Sequence, residues 1–355
     1  MNKKIVYSFV FFLLILSFVS NGQMRSAFHV ATEGFVDFDV KYGAMTDKYS
    51  LAKLSQPYPN AVDLYKGTTS LSNVKSYGFD AKVGYFLNDK KSLAIVIGLS
   101  YLYQSGSLSM DTFHVEYMAT DTKNRIYRQM VSLSGLSETA KFNNINVPFL
   151  IHYQKKYSQE MFLSFDGGFL YNVQYSAKYS ASGLANYEAI YDYNVKTKSF
   201  VYNNSSVAQG TGVIPITIKQ YYLSNPKGSD IGLNQYMTNF RQQWGANVGV
   251  GNPITQKTGS VNFKNGSLGL ILEPDFNYQL NDNMFLKFGV FYMYQYVQSQ
   301  GTKSDQAFMG KTFGSYNGLI SEMKNLTTSG FGVDVGIRII LKDKIEEGIN
   351  YITQW

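Results

Sequence analysis

Two segments of alternating apolar and polar residues, Ser267–Leu280 and Asn283–Ser299, follow each other with only the turn at Asn281 and Asp282 between them. The same pairing recurs at Tyr77–Leu87 with Leu93–Gln104 and at Asn143–Tyr153 with Met161–Tyr175, and long polar stretches separate the pairs. Short turn, long connection, short turn is what an up-and-down β-barrel with two unequal ends requires. Adding Phe28–Tyr42 and Phe331–Leu341 gives eight strands. Each is at least as long as the roughly 9–11 residues that a tilted strand needs to cross a bilayer, against about 5–6 for an average soluble strand.

The faces are distinct. In the last strand Phe331, Val333, Val335, Ile337, Ile339 and Leu341 oppose Gly332, Asp334, Gly336 and Arg338. In Ser267–Leu280 the apolar Leu268, Leu270, Leu272, Phe276 and Tyr278 oppose Glu273, Asp275, Asn277 and Gln279. Period two with one polar face marks a half-buried strand. A soluble lipocalin-like barrel shares that alternation with the faces exchanged. Strand length and the tyrosines at the loop-side ends (Tyr101, Tyr103, Tyr171, Tyr175, Tyr292, Tyr294, Tyr296) favour the membrane form, which carries aromatic girdles there.

The N-terminus reads as a secretory signal at 1–22. Lys3 and Lys4 precede the apolar run Ile5–Val19, and Ser20 and Gly22 are the small residues before a cleavage point at Gln23. The mature barrel is then 23–343, followed by a tail at 344–355 whose Ile345, Ile349 and Ile352 have helical spacing. With no cysteine in the chain, disulfides, thiol catalysis, Cys-ligated zinc and an N-terminal lipid anchor are excluded. The charge of +7 becomes +5 without Lys3 and Lys4, and no basic run interleaved with aromatics points to nucleic acid.

Short turns in such barrels are periplasmic and long loops extracellular. The long connections are Gly43–Ser76, Ser105–Phe142, Ser176–Gly266 and Gln300–Gly330. Within the third, Val213–Tyr222 and Trp244–Val250 have strand character, and their inclusion in the wall would give ten strands. The polar stretch Asn252–Asn265 argues against that and for eight.

Alternation carries twelve charged residues to the lumen side: Glu33, Asp37, Asp39, Lys41, Asp80, Lys82, Asp166, Glu273, Asp275, Lys287, Asp334 and Arg338. An eight-stranded barrel is only wide enough for its own side chains, and isolated buried charges are costly. An internal ion-pair plug is therefore expected over a solute-selecting pore lining. His29 and His152 fall on the same face and His114 in a loop. No nucleophile elbow, zinc-binding His pair or EF-hand spacing accompanies them. The expectation is no catalytic residue, no cofactor, no metal and no enzyme. Asn203-Asn204-Ser205 matches a glycosylation acceptor only formally.

The run Asn144-Ile145-Asn146-Val147-Pro148-Phe149-Leu150-Ile151-His152-Tyr153, the Gly-rich Asp166-Gly167-Gly168-Phe169 and the final Gly332-Val333-Asp334-Val335-Gly336-Ile337-Arg338 carry a resemblance. They are similar to outer-membrane β-barrel proteins common in Bacteroidota, including PorT-like barrels and, more distantly, OmpA-type eight-stranded barrels. Many of those end on their last strand, whereas this chain reaches the aromatic Trp355 only after an extra segment. The resemblance implies an all-β transmembrane antiparallel barrel in a bacterial outer membrane, in contact with its lipid and lipopolysaccharide. Long loops on a rigid scaffold point to a structural or interaction role toward envelope partners or external ligands. The alternative is a transport channel or a component of a secretion apparatus.

Overall fold

The computed structural model describes residues 33–51, 61–66, 69–71, 74–201, 212–225, 231–254, 258–300, 309 and 315–341. The signal segment, His29, the Asn203 motif and the tail lie outside them. The ring consists of eight strands: β1 (Gly34–Leu51), β4 (Val74–Phe86), β5 (Leu93–Thr120), β6 (Ile126–Lys156), β7 (Met161–Asn194), β12 (Leu268–Asn281), β13 (Met284–Gln298) and β14 (Met323–Leu341). Each pairs antiparallel with its neighbour, and β14 returns to β1 with Gly34 opposite Leu341 and Asp37 opposite Arg338. The barrel is closed at eight strands, as the alternation predicts.

The two faces explain the closure. Phe38, Val40, Phe149, Ile151, Phe169, Leu268, Phe288, Val290, Phe331 and Val335 all point outward and are exposed, Val40 at 67% and Phe331 at 70%. Such a continuous apolar band, far larger than the few hundred Å² a soluble monomer shows, is a lipid-facing surface. Inside lie the charged side chains and a set of apolar residues including Phe35, Phe86, Val96, Leu150 and Phe291.

Short turns at Leu87–Ser92, 157–160 and 282–283 gather at one end. The other end differs from the expected irregular loops. Ser105–Phe142 is not a loop: β5 and β6 continue as one hairpin of 28 and 31 residues, closed by the turn Asp121–Arg125. The 34 residues of β7 accompany it, extending roughly 110 Å along the strand against an apolar band about 25 Å tall. The alternation was hidden by bulges. Inward positions run Leu108, Met110, then Phe113, Val115, Tyr117, so parity changes at Asp111 and Thr112. It changes on β6 at Gly135, whose φ of +60° suits a residue without a β-carbon. A third bulge at Val173 turns Tyr175 into the lumen, at 1% exposure, rather than into the outer girdle expected of it.

Short strands cover the edges of this tall sheet. β2 (Ala61–Lys66) and β3 (Thr69–Leu71) pair with β5. On β7 lie β8 (Ser199–Phe200), β9 (Val213–Thr217), β10 (Gly249–Pro253) and β11 (Thr258–Asn262). Covered edges do not template aggregation. The expected strand Val213–Tyr222 stops at Thr217, because Thr217 and Gln220 form a reciprocal capping box that starts the helix Ile218–Ser224. Trp244 ends a second helix, Leu233–Trp244, with Gly245 in the left-handed conformation, rather than opening a strand. Gln300–Gly330 is likewise shorter than expected as a loop, since β14 begins at Met323.

Candidate functional site

The lumen of the spanning segment is built from residues two apart on successive strands. β1 supplies Asp37, Asp39 and Lys41, β4 Asp80 and Lys82, β6 His152, β7 Asp166, β12 Glu273 and Asp275, β13 Lys287, and β14 Asp334 and Arg338. All are buried, because an eight-stranded interior brings opposite walls within side-chain reach.

The partners are specific. Arg338 clamps Asp37 with two parallel hydrogen bonds of 2.7 Å and lies 4.1 Å over the Phe35 ring. Lys82 donates to Glu273 at 2.6 Å and pairs with Asp39 at 2.9 Å. Lys41 pairs with Glu273 and, at 2.5 Å, with Asp80. Lys287 reaches Asp37 at 3.2 Å, Asp39 at 3.1 Å and Asp275 at 3.5 Å. His152 meets Asp166 through Nδ1, while Arg338 Nη1 lies 3.1 Å from its Nε2. Glu33 stands apart, pairing with the half-exposed Lys91 at the short-turn end. Ten of the twelve expected charges thus converge in one network, and Asp334 lies buried in the same lumen outside its ion pairs.

Directly above lies an amide layer. Asn172 Nδ2 donates to Asn144 Oδ1 at 2.8 Å, Asn144 Nδ2 to Gln295 Oε1 at 2.6 Å, and Gln295 Nε2 to Asn146 Oδ1 at 2.9 Å. Sequence reading missed it, although Asn144 and Asn146 share the lumen face of their strand. The lipid-facing wall has a shallow apolar groove of about 530 Å³ around Pro274, Phe276 and Phe288.

Higher still, Leu108, Phe113, Leu133 and Tyr187 pack with the inward-folded segment 315–323, including Tyr316, Leu319 and Ile320. Glu138 holds that segment, accepting from the Tyr316 hydroxyl, from Leu319 N and, at 3.0 Å, from Ile320 N. At the tip, Asp121 accepts from Arg125 Nε at 2.7 Å and from the Tyr191 hydroxyl at 3.0 Å. Burial works against its charge, but these donors and the N–H groups of Arg125 and Lys123 hold Asp121 below the ordinary carboxylate range. Arg125 and Lys123 lie 4.1 and 3.8 Å over Trp244, fastening the helix Leu233–Trp244 to the hairpin. Glu188 accepts from Lys219 N at 3.0 Å, and burial pushes its carboxyl up to about 7. His114 lies not in a loop but on β5, 3.2 Å from Glu116. Nothing in the spacing of these cap residues singled them out.

No family model matches the chain, and no curated protein matches it. Similar solved structures are outer-membrane barrels. The outer membrane protein OprG from Pseudomonas aeruginosa is 9% identical, with 86% of this chain and 96% of that one covered, at a TM-score of 0.30. The outer membrane protease OmpT from Escherichia coli is 7% identical, with 87% and 97% covered, at 0.25. The CymD monoaromatic hydrocarbon channel is 7% identical, with 87% and 89% covered, at 0.18. At these values none assigns a ligand or activity to this chain, and PorT-like membership finds no match. The expectation that the chain is not an enzyme is corrected: the similar structures include a protease, so the barrel architecture gives no ground for excluding catalysis. What stands is an eight-stranded antiparallel barrel of outer-membrane type.

Proposed function

We propose that this protein, exported through its N-terminal signal, is an integral outer-membrane barrel of structural or interaction type. Its short turns face the periplasm and its tall end faces outward. The observation that carries this reading is the contrast between the two levels of the molecule. In the membrane the lumen is filled by interlocked charges, with Lys82, Lys287 and Arg338 at 0–1% exposure. Above it the wall continues through β5, β6 and β7 and carries its own apolar core and a two-helix cap. A filled lumen suits a scaffold, and a tall rigid platform suits recognition. Ile214 and Leu223 are exposed apolar residues on that platform, offered to envelope partners or external ligands.

Single-channel recording in planar bilayers tests the reading. The expected result is no stepwise conductance from the purified barrel. Reproducible conductance steps, altered by substitution of Lys82 or Arg338, would replace the scaffold with a transport channel.

A further inference from the structure

On the outer surface the strand register gathers lysines on one row. Lys141 on β6 stands directly opposite Lys178 on β7, Ser105 on β5 opposes Lys141, and Lys75 on β4 opposes Ser105. On the far side Lys178 faces Ser260 of β11. Phe142, Ala177 and Tyr179 point into the apolar core, so alternation turns Lys141 and Lys178 outward, and both are exposed, as is Lys75.

Like charges directly opposite each other destabilise an antiparallel pair. Among the described residues none of these three lysines forms an ion pair, whereas Arg128, higher on β6, pairs with Glu116 at 3.1 Å. The flanking rows of β6 and β7 carry hydroxyl and amide groups. One step up, Thr139 opposes Ser180; one step down, Asn143 opposes Ser176. The patch therefore presents ammonium groups and neutral hydrogen-bonding groups together, with no carboxylate between them.

Its height is fixed by the aromatic rows beneath. One step below Lys75 and Ser105 lie Tyr77 and Tyr103, with ring centroids 4.7 Å apart, and below those Phe79 and Tyr101 at 5.5 Å. The Tyr101 hydroxyl donates to Asn143 Oδ1 at 2.8 Å, which ties the belt to the row under Lys141. Aromatic girdles mark the membrane interface, and one step of two residues is about 7 Å of strand. The lysines stand that far beyond the belt, at the level of lipid head groups.

We propose that Lys141 and Lys178, with Lys75 beside them, form a docking site for the phosphorylated sugar head group of the outer-leaflet glycolipid, lipopolysaccharide. The ammonium groups meet the phosphates as point charges, while Thr139, Ser180 and Asn143 hydrogen-bond the sugar hydroxyls. A bound phosphate cancels the repulsion between Lys141 and Lys178, so the lipid steadies the wall where β6 and β7 leave the membrane. This inference rests on the outward orientation of the tall end proposed above.

The test uses the full mature chain refolded in detergent micelles, its folding confirmed by heat-modifiable gel migration. Calorimetric titration measures binding of lipopolysaccharide, of the same lipid stripped of phosphate, and of phosphatidylglycerol. Each lysine beside an anionic head group contributes about fivefold, so K141S/K178S should bind lipopolysaccharide about 25-fold more weakly than the wild type. K48S/K324S, which removes two exposed lysines of β1 and β14, should bind as the wild type does. Lipopolysaccharide should raise the unfolding temperature of the wild type and not that of K141S/K178S. Equal weakening in the two double variants, or undiminished binding of the phosphate-free lipid, overturns the proposal. Phosphatidylglycerol binding as tightly as lipopolysaccharide would assign the patch to any anionic lipid and equally overturn it. Orientation is read separately: the chain has no cysteine, so K196C, in the exposed turn beyond β7, should react with an impermeant maleimide on intact cells. Labelled cells with a barrel blind to lipopolysaccharide overturn the docking site alone, whereas unlabelled cells overturn the orientation and the site together.

Discussion

Arg338 donates two parallel hydrogen bonds to Asp37, Nε to Oδ1 and Nη2 to Oδ2, each 2.7 Å, across the seam where the first strand meets the last. The fork geometry suits arginine alone, since lysine offers a single rotating ammonium. The pair also orients His152, so the seam, the aromatic floor and the ion-pair network share one residue.

Among the described residues, replacing Arg338 with Ala leaves Asp37 ion-paired with Lys287 alone. Breaking a buried pair by removing one partner costs about 3–5 kcal/mol. The urea midpoint of the refolded barrel, read from heat-modifiable gel migration, should fall for R338A and recover in part for R338K. An unchanged midpoint would mean that the seam pair contributes nothing to stability.

Glu138 should control the inward segment without touching the membrane ring. In E138A the Tyr316 hydroxyl and the N–H groups of Leu319 and Ile320 lose this carboxylate as an acceptor, while Leu319 N keeps the Tyr316 hydroxyl at 2.9 Å. A release of about 1.4 kcal/mol raises the open population about tenfold. Limited proteolysis should cut within 315–322 correspondingly faster, with the β5–β6 hairpin still intact.

The cap should be more stable in mild acid. Glu188 has a folded value of about 7, raised by burial above the ordinary 4.5 and opposed by Lys219 N and the Lys219 charge. Between those values the folded cap binds more protons than the unfolded one, so its stability falls as pH rises from 4.5 through 7. The change is on the order of 2 kcal/mol. Exchange protection at Ile218–Ser224, corrected for intrinsic rates, should be greater at pH 5 than at pH 8. E188Q should remove that difference.

Trp244 receives two cations, Arg125 at 4.1 Å and Lys123 at 3.8 Å. Its replacement by Ala should loosen Leu233–Trp244 by about 2 kcal/mol. Faster amide exchange confined to that helix and the Asp121–Arg125 turn is the expected signature. Exchange unchanged there would assign the helix position to the Met237 and Phe240 packing instead.

The membrane half of the fold was legible because period two holds without a break from Phe331 to Leu341 and from Leu93 to Gln104, and every lumen charge obeys it. The upper half was hidden by three bulges, each of which reverses which parity faces inward; Tyr175 was misplaced for that reason. The network residues were readable one by one, but their partners were not. The meeting of Lys41 with Glu273, or of Arg338 with His152, depends on the stagger of the closed ring rather than on spacing along the chain. Glu138 and Glu188 were missed because their partners, the Tyr316 hydroxyl and backbone N–H groups, belong to segments without periodicity. The capping box at Thr217 lies inside the β-branched run Val213–Ile218, which reads as strand until the box is recognised.

Asp37 and Arg338 are 301 positions apart, and they belong to the strands that close the ring. Until β14 arrives, β1 and β13 both present open edges, which lipid cannot satisfy, and Asp37 lacks its guanidinium. A chain cut short before its final strand is therefore unfinished in hydrogen bonding and in charge at once. Docking of β14 thus completes the hydrogen bonding of the wall and the pairing of Asp37 in a single step.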